Sequence, residues 1–394
     1  MNTPCSFVIG GRLLTSRLQN MHKLWANIAQ IASGGNPRLK RVRWPLISLL
    51  ALVLLLPGCY GVVSPTGWSG PIVENSILYM GTNQSKVLAL DVTSRTAVWQ
   101  QEVKVDNNLE KFYSDPAISE GTVYIGGFNG KVYAFDPETG VKKWEYPAGE
   151  ERLDSFVGSP VVRQGTLYIG SSNGIFYALD AASGQRRWQF ATGNKIWSTP
   201  AIGDSTVYFG SLDRRLYALD ATTGNQVWEF EAGAGIVSTP TLAGGFVYVG
   251  SMDRKFYALD ASTGQKKWEF SAEGWFWTQA AISEGIVYVG SLDSNFYAIS
   301  AADGIKQWQY KTEGLIRSSP VIVGDLVIVA SNDGRIYGLY RNTGTIKWIY
   351  TVDSPILADL YAKDTTVYAS AQNNTIYALG ADAGSLLWSY STKT

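Results

Sequence analysis

"YVGSMDRKFYALDASTGQKKWEF", residues 248–270, has a near copy forty residues upstream, "YFGSLDRRLYALDATTGNQVWEF" (208–230), and another forty downstream, "YVGSLDSNFYAISAADGIKQWQY" (288–310). Self-similarity at a fixed period decides an architecture before any local reading does. The phrase drifts but persists as "YIGGFNGKVYAFDPETGVKKWEY" (124–146) and "YIGSSNGIFYALDAASGQRRWQF" (168–190). The tryptophans that close the unit are Trp99, Trp144, Trp188, Trp228, Trp268, Trp308, Trp348 and Trp388. They mark eight copies, spaced 45, 44 and then five times 40 residues.

Within a copy the apolar residues alternate, as in "STVYFGS" (205–211) and "RRLYALD" (214–220), which is the period of a half-buried strand. Pairs such as Asn129-Gly130, Asn173-Gly174 and Asp333-Gly334 tolerate the positive φ of a tight turn and predict a two-residue hairpin between the second and third strands. One copy then holds four strands: 198–202, 206–211, 215–220 and 226–230. Four antiparallel strands every forty residues predict an all-β, eight-bladed β-propeller of four-stranded blades. Blade one is expected wholly within residues 68–102, with blade eight packing directly on it. Asp220 and Asp260 end strands, where a carboxylate can accept backbone N–H groups of the following turn, and Gly224 and Gly264 suit a positive φ there. The repeated tryptophan is expected to fill the wedge between blades.

The unit "YVGSMDRKFYALDASTGQKKWEF" resembles the pyrroloquinoline-quinone-type (PQQ-like) propeller repeat, over residues 68–391. Two branches of that family bear on function: quinoprotein alcohol dehydrogenases, which bind the quinone and Ca²⁺, and BamB-like outer-membrane assembly lipoproteins, which the resemblance implies have no cofactor. The dehydrogenase branch carries a ring of neighbouring cysteines and long extra loops; this chain has no Cys-Cys pair and no room for the insertions. The expectation is therefore no enzyme activity, no catalytic residue and no cofactor, with PQQ and Ca²⁺ unlike this chain's inventory.

The amino terminus points the same way. Arg38, Lys40, Arg41 and Arg43 precede an apolar run from Trp44 to Leu56, too short to span a bilayer comfortably, which closes on "LPGC" ending at Cys59. This resembles a lipobox, and acylation at Cys59 would make it the new terminus. The expected organisation is a signal region at 1–58, a tether at 59–67 and the propeller at 68–394; a start at Met21 or a later codon is open. The protein is then exported and anchored by lipid on a periplasmic or extracellular membrane face.

Residues 1–58 contain seven of the 33 basic residues and no acidic one, so the remainder carries a net charge of −7. A phosphate backbone asks for a basic surface, so nucleic acid is not expected as a partner. His22 and Cys5 also lie in that segment, which leaves no histidine and, with Cys59 acylated, no free thiol. An ordinary zinc site, a Ser-His-Asp or Cys-His nucleophile and an intramolecular disulfide are all excluded for the remainder. No metal site is expected.

The reading that follows is a lipid-anchored protein-binding scaffold for other envelope proteins, acting as a single ring in envelope or outer-membrane protein assembly. The alternatives are a module for glycans or small ligands and a PQQ-dependent oxidoreductase-like protein. One departure from the repeat suggests where binding occurs: "EGWFWTQAAIS" (273–283) stands where the preceding copy has "GAGIVSTPTLA" (233–243). Aligned on that position, the copies present Trp68, Tyr113, Val157, Trp197, Val237, Trp277, Arg317 and Leu357. If the first strand lines the central channel, these side chains crowd its mouth, with Trp275 on the same side as Trp277. Arg214, Arg215, Arg254 and Lys255, in the hairpins of the same face, would form a polar rim. Exposed aromatics beside arginine are what binding hot spots are made of; the competing reading is that they plug the hole.

Overall fold

The computed structural model describes residues 67–105, 108–109 and 111–393. Cys59, the signal region and most of the tether lie outside the described residues. The chain forms eight antiparallel four-stranded sheets, each in sequential order, with no helix among the described residues. The blades span Ile72–Glu102, Ala117–Tyr146, Val161–Ala191, Ala201–Glu231, Thr241–Ser271, Ala281–Lys311, Val321–Thr351 and Tyr361–Ser391. No strand is exchanged at the junction of blades eight and one. A two-stranded hairpin between blades one and two, Lys104–Val105 with Asn108–Leu109, has no counterpart in the repeat.

The two middle strands of a blade are buried on both faces, as in "RLYALD" (215–220), while the outer strand buries alternate residues only. Each outer strand has a register shift one residue before its tryptophan, as at Ala218/Leu219 opposite Val227. The hairpin differs from the expected two-residue turn. Ser171 N–H donates to Ile175 O (3.0 Å) and Gly174 N–H donates to Ser171 O (3.1 Å), so three residues lie between the last bonded pair. Positive φ is needed only at the third, where Gly130, Gly174 and Gly334 alternate with Arg214 and Arg254.

The tryptophans do fill the wedge between blades, by a specific joint. Trp228 Nε1 donates to Ala261 O of the next blade (3.0 Å), and its ring rests on Gly264. A Cβ at Gly264 would lie 2.7 Å from that ring, so this glycine serves both a φ of +72° and a close approach. The same indole-to-carbonyl bond leaves Trp99, Trp144, Trp188, Trp268, Trp308 and Trp348. The turn beneath it is held as expected: Asp220 Oδ1 accepts from Thr222 N (3.1 Å) and Thr223 N (2.7 Å).

Candidate functional site at the channel mouth

The residues that line the channel are not in the first strand but just before it, since blade four's inner strand is only Ala201–Ile202. Backbone bonds fix this segment to the hairpins: Leu212 N–H donates to Lys195 O (2.9 Å), and Met252 N–H to Gly235 O (2.9 Å). Connectors and hairpins therefore emerge at one end of the ring. The structure brings all eight aligned positions, Trp68, Tyr113, Val157, Trp197, Val237, Trp277, Arg317 and Leu357, around one cavity.

Their side chains form two groups. Trp197 and Trp277 lie 6.4 Å apart at 47°, and the Arg317 guanidinium lies over the Trp277 ring at 5.9 Å. Trp197 is oriented by its indole N–H, which donates to Ser172 Oγ (3.0 Å), and Lys195 Nζ stands 5.8 Å from its ring. Arg317 Nε is buried with no hydrogen-bond partner. In the second group, Trp68 meets Tyr113 edge-on at 4.4 Å, and Tyr113 packs on Phe128 at 5.0 Å. Burial pushes the Tyr113 hydroxyl up to about 12.

Trp275 does not join them. It is 41% exposed and absent from the channel lining, because residues 275–277 form an irregular connector in which strand alternation does not hold. Phe276 is the buried member of the trio, packed on Phe256 at 5.5 Å, where the preceding copy has Ile236. Arg214, Arg215 and Lys255 also stand off the channel. Arg214 pairs with Glu231 (2.6 Å), Arg215 with Glu229 (3.3 Å) and Lys255 with Glu269, all acids of their own blades' outer strands. Arg254, exposed at the third hairpin position, is likewise outside the lining.

A second tier below the mouth has no part in the sequence reading. Two residues after each mouth position stand Gly70, Asp115, Ser159, Thr199, Thr239, Gln279, Ser319 and Asp359. Backbone N–H groups of one blade donate to the next blade's side chain there. Asp115 N donates to Ser159 Oγ (2.8 Å), Ser159 N to Thr199 Oγ1 (2.8 Å), Gln279 N to Ser319 Oγ (3.0 Å), and Ser319 N to Asp359 Oδ1 (2.7 Å). Gly70 N donates to Asp115 Oδ1. A Cβ at Gly70 would lie 2.9 Å from Asp359 O and 3.0 Å from Asp115 Oδ1, so its lack of a side chain lets blades eight and two close in. Desolvation, and then the charge of Asp359, push the Asp115 carboxyl up to about 8; desolvation also raises Asp359.

The channel cavity measures about 60 Å³, room for about four waters. Both carboxylates that face it, Asp115 and Asp359, already accept backbone N–H groups, from Gly70 and Ser319. Among the described residues no group of three or more His, Cys, Asp or Glu is placed to hold a metal ion.

The comparisons with known proteins divide along the two expected branches. A solved structure of BamB from Moraxella catarrhalis superposes with a TM-score of 0.67 at 22% identity, covering 77% of this chain and 93% of that one. Quinohemoprotein alcohol dehydrogenase from Comamonas testosteroni superposes equally, with a TM-score of 0.67 at 16% identity, over 77% of this chain and 70% of that one. At these identities the likeness is one of fold. In sequence, the dehydrogenase subunit of a quinone alcohol dehydrogenase from Gluconobacter oxydans is 32% identical over 80 residues, which span 19% of this chain and 11% of that protein. The expectation that the chain is not an enzyme is corrected by these matches. The relatives it matches are dehydrogenases, of which the matched segment spans about a tenth, and the expectation rested on missing cysteines and loops alone. The sequence profile described as "Outer membrane protein assembly factor BamB" matches in overlapping segments, 61–211, 173–275, 213–355 and 314–394. With the profile spanning all eight blades, the chain belongs to the BamB family of outer-membrane protein assembly factors.

Proposed function

We propose that this propeller is a lipid-anchored scaffold, exported by residues 1–58 and held through Cys59, that recognises other envelope proteins during outer-membrane protein assembly. The observation that carries the reading is the channel mouth, where Trp197, Trp277 and Arg317 on one side and Trp68 and Tyr113 on the other gather at a single end of the ring. An arginine with a buried, unpartnered Nε beside two tryptophans supplies the flat area and the directed donor that interface anchors use. Recognition in this reading requires neither quinone nor Ca²⁺.

The test is affinity purification of the anchored protein beside a Trp197→Ala, Trp277→Ala, Arg317→Ala variant of unchanged thermal midpoint. Truncating anchors of this kind costs about 2 kcal/mol each, so outer-membrane assembly proteins that accompany the wild type should be lost from the variant. Their full retention places recognition elsewhere on the ring. Binding on a glycan array that the variant loses makes the mouth a glycan site. Quinone-dependent alcohol oxidation by purified protein given PQQ and Ca²⁺ replaces the scaffold reading by an oxidoreductase. Cys59→Ser should release the protein from membranes and abolish fatty-acid labelling; persistent labelling removes the anchor.

A further inference from the structure

The turn between the third and fourth strands opens on an aspartate in blades one to five and on the small residues Ser300 and Gly380 in blades six and eight. In blade five, Asp260 Oδ1 accepts from Ser262 N (3.0 Å) and Thr263 N (2.9 Å), and Ala261 follows it. Blade seven has Tyr340 and Arg341 there, whereas the second of these positions is alanine, valine or proline in every other blade. The joint between blades does not need the arginine side chain. The Arg341 backbone carbonyl accepts the Trp308 indole (2.8 Å) and the Tyr288 hydroxyl (3.2 Å), as Ala261 O does for Trp228 and Tyr208. Exchanging a carboxylate cap for a bulky pair gives up local stability, and a repeat breaks its own rule where a side chain has another task.

The exchanged pair borders a cleft at the seam with blade six, on the end of the ring opposite the channel mouth. Its volume is about 570 Å³, against about 60 Å³ for the channel cavity, and Tyr340, Arg341, Asn342, Asp325, Gln307 and Glu284 are in its lining. Arg341 reaches back across the seam, where its guanidinium donates to Ser283 Oγ (2.6 Å) and Glu284 Oε1 (3.1 Å). That fixes one wall. Asp325 and Asn342 are exposed, and neither side chain makes an ion pair or hydrogen bond among the described residues. Lys347 Nζ stands 5.7 Å from the Tyr340 ring centroid and pairs with Asp382 rather than with Asp325. The matching cleft between blades four and five has about 450 Å³, but glycines, small residues and apolar side chains line it, with Asp204 as its one charged residue. The shape comes with the repeat; the chemistry is particular to this seam.

We infer that the cleft between blades six and seven binds a neutral saccharide, at a site separate from the channel mouth and independent of the scaffold reading. The lining selects the ligand. Asp325 and Glu284 stand with Arg341 and the nearby Lys347, so a ligand of either charge meets a like charge. A polyhydroxyl ligand instead finds acceptors in Asp325 and Asn342 and donors in Asn342 and Arg341. A pyranose carries donor and acceptor on adjacent carbons and turns an apolar C–H face outward, for which the half-buried Tyr340 ring is the matching flat surface. The volume lies within the range of small-ligand sites. Arg341 as a mere tie between blades would leave Tyr340, Asp325 and Asn342 without a role.

The test uses the full chain, purified in a detergent without a sugar headgroup and titrated with maltose, cellobiose and N,N′-diacetylchitobiose up to about 10 mM, with saturation-transfer NMR as the readout. At least one sugar should bind. Tyr340→Asp with Arg341→Ala, which restores the residues of blade five, should weaken it by about tenfold or more with a thermal midpoint unchanged or raised. Asp325→Ala should weaken it as well, whereas Asp204→Ala, in the cleft between blades four and five, should not. Co-sedimentation with peptidoglycan sacculi, or with lipopolysaccharide micelles, that the double variant loses identifies a wall or a lipid-borne glycan as the source. Absence of binding by all of these sugars overturns the inference. So does binding that survives the double variant, equal loss on Asp204→Ala, or retention of peptides from a random library in place of sugar. The Trp197→Ala, Trp277→Ala, Arg317→Ala variant should keep saccharide binding and the cleft variant should keep the partner proteins, so each reading stands or falls alone.

Discussion

Seven of the eight seams between blades are copies of one joint, and the eighth is built differently. At a copied seam such as that between blades four and five, Trp228 donates to Ala261 O and lies on Gly264. At the closing seam Trp388 makes no such bond, and the glycine's place is taken by Arg95, held at a φ of +62°. Other contacts replace them. Tyr361 Oη donates to Val73 O (3.1 Å), Lys363 Nζ approaches the same carbonyl (3.5 Å), and Val73, Leu78 and Met80 pack with Tyr368 and Ile376 in a shared core. At the channel the closing blades meet through Gly70, flanked by Asp115 and Asp359. Repetition thus supplies a joint that fits any successor, while closure rests on residues found once.

The largest test of this contrast is to remove the tryptophan from each kind of seam. Trp228→Ala should cost about 3–5 kcal/mol, and Trp388→Ala about 1 kcal/mol less because no indole bond is lost; midpoints of guanidinium unfolding measure both. Equal losses would mean that the indole bond contributes nothing beyond packing.

Next is a dependence on pH confined to the closing seam. The Asp115 carboxyl is raised in the folded ring above its value in the unfolded chain, so the fold binds a proton that the unfolded chain releases. The stability this supplies is complete at low pH and is lost as pH rises from about 4 to about 8, at up to about 1.4 kcal/mol per pH unit. Asp115→Asn keeps an acceptor for Gly70 N–H and cannot ionise. Thermal midpoints from pH 5 to 8 should therefore fall more steeply for the wild type than for the variant; parallel curves would show that the pair carries no such linkage.

The smallest effects are two substitutions of opposite sign at equivalent positions. Gly264→Ala meets both a left-handed φ and the Trp228 ring, and should destabilise by about 2 kcal/mol or more. Arg95→Gly relieves the same φ and should gain about 0.5–1 kcal/mol. A loss on Arg95→Gly would show that the arginine contributes to the seam.

The blade count, the order of the strands and the eight mouth positions were legible in the sequence because each copy supplies the same information and the copies can be aligned against one another. What was illegible falls where the copies disagree. Asp115 and Asp359 lie in blades two and eight and share a site only because the ring closes across Gly70. Trp275 was placed by strand alternation in a segment that is not a strand. Arg214 and Lys255 read as a rim until their partners, Glu231 and Glu269, proved to lie on the outer strand of the same blade. The exclusion of enzyme activity failed for a related reason: it was argued from missing parts, whereas the dehydrogenase relatives share the repeat itself.

Arg95 also bears on how the chain counts. A joint that fits any successor would let the ring shut after seven blades, or let one molecule's last blade dock on another's first. In either accident Trp348, or some other indole, would come to rest on the first blade. The indoles of the copied joints need a glycine: a Cβ at Gly384 would lie 2.4 Å from the Trp348 ring. The first blade offers Arg95 in that place, a side chain where each of the seven copied joints has a glycine, so a single residue tells the closing seam from the others.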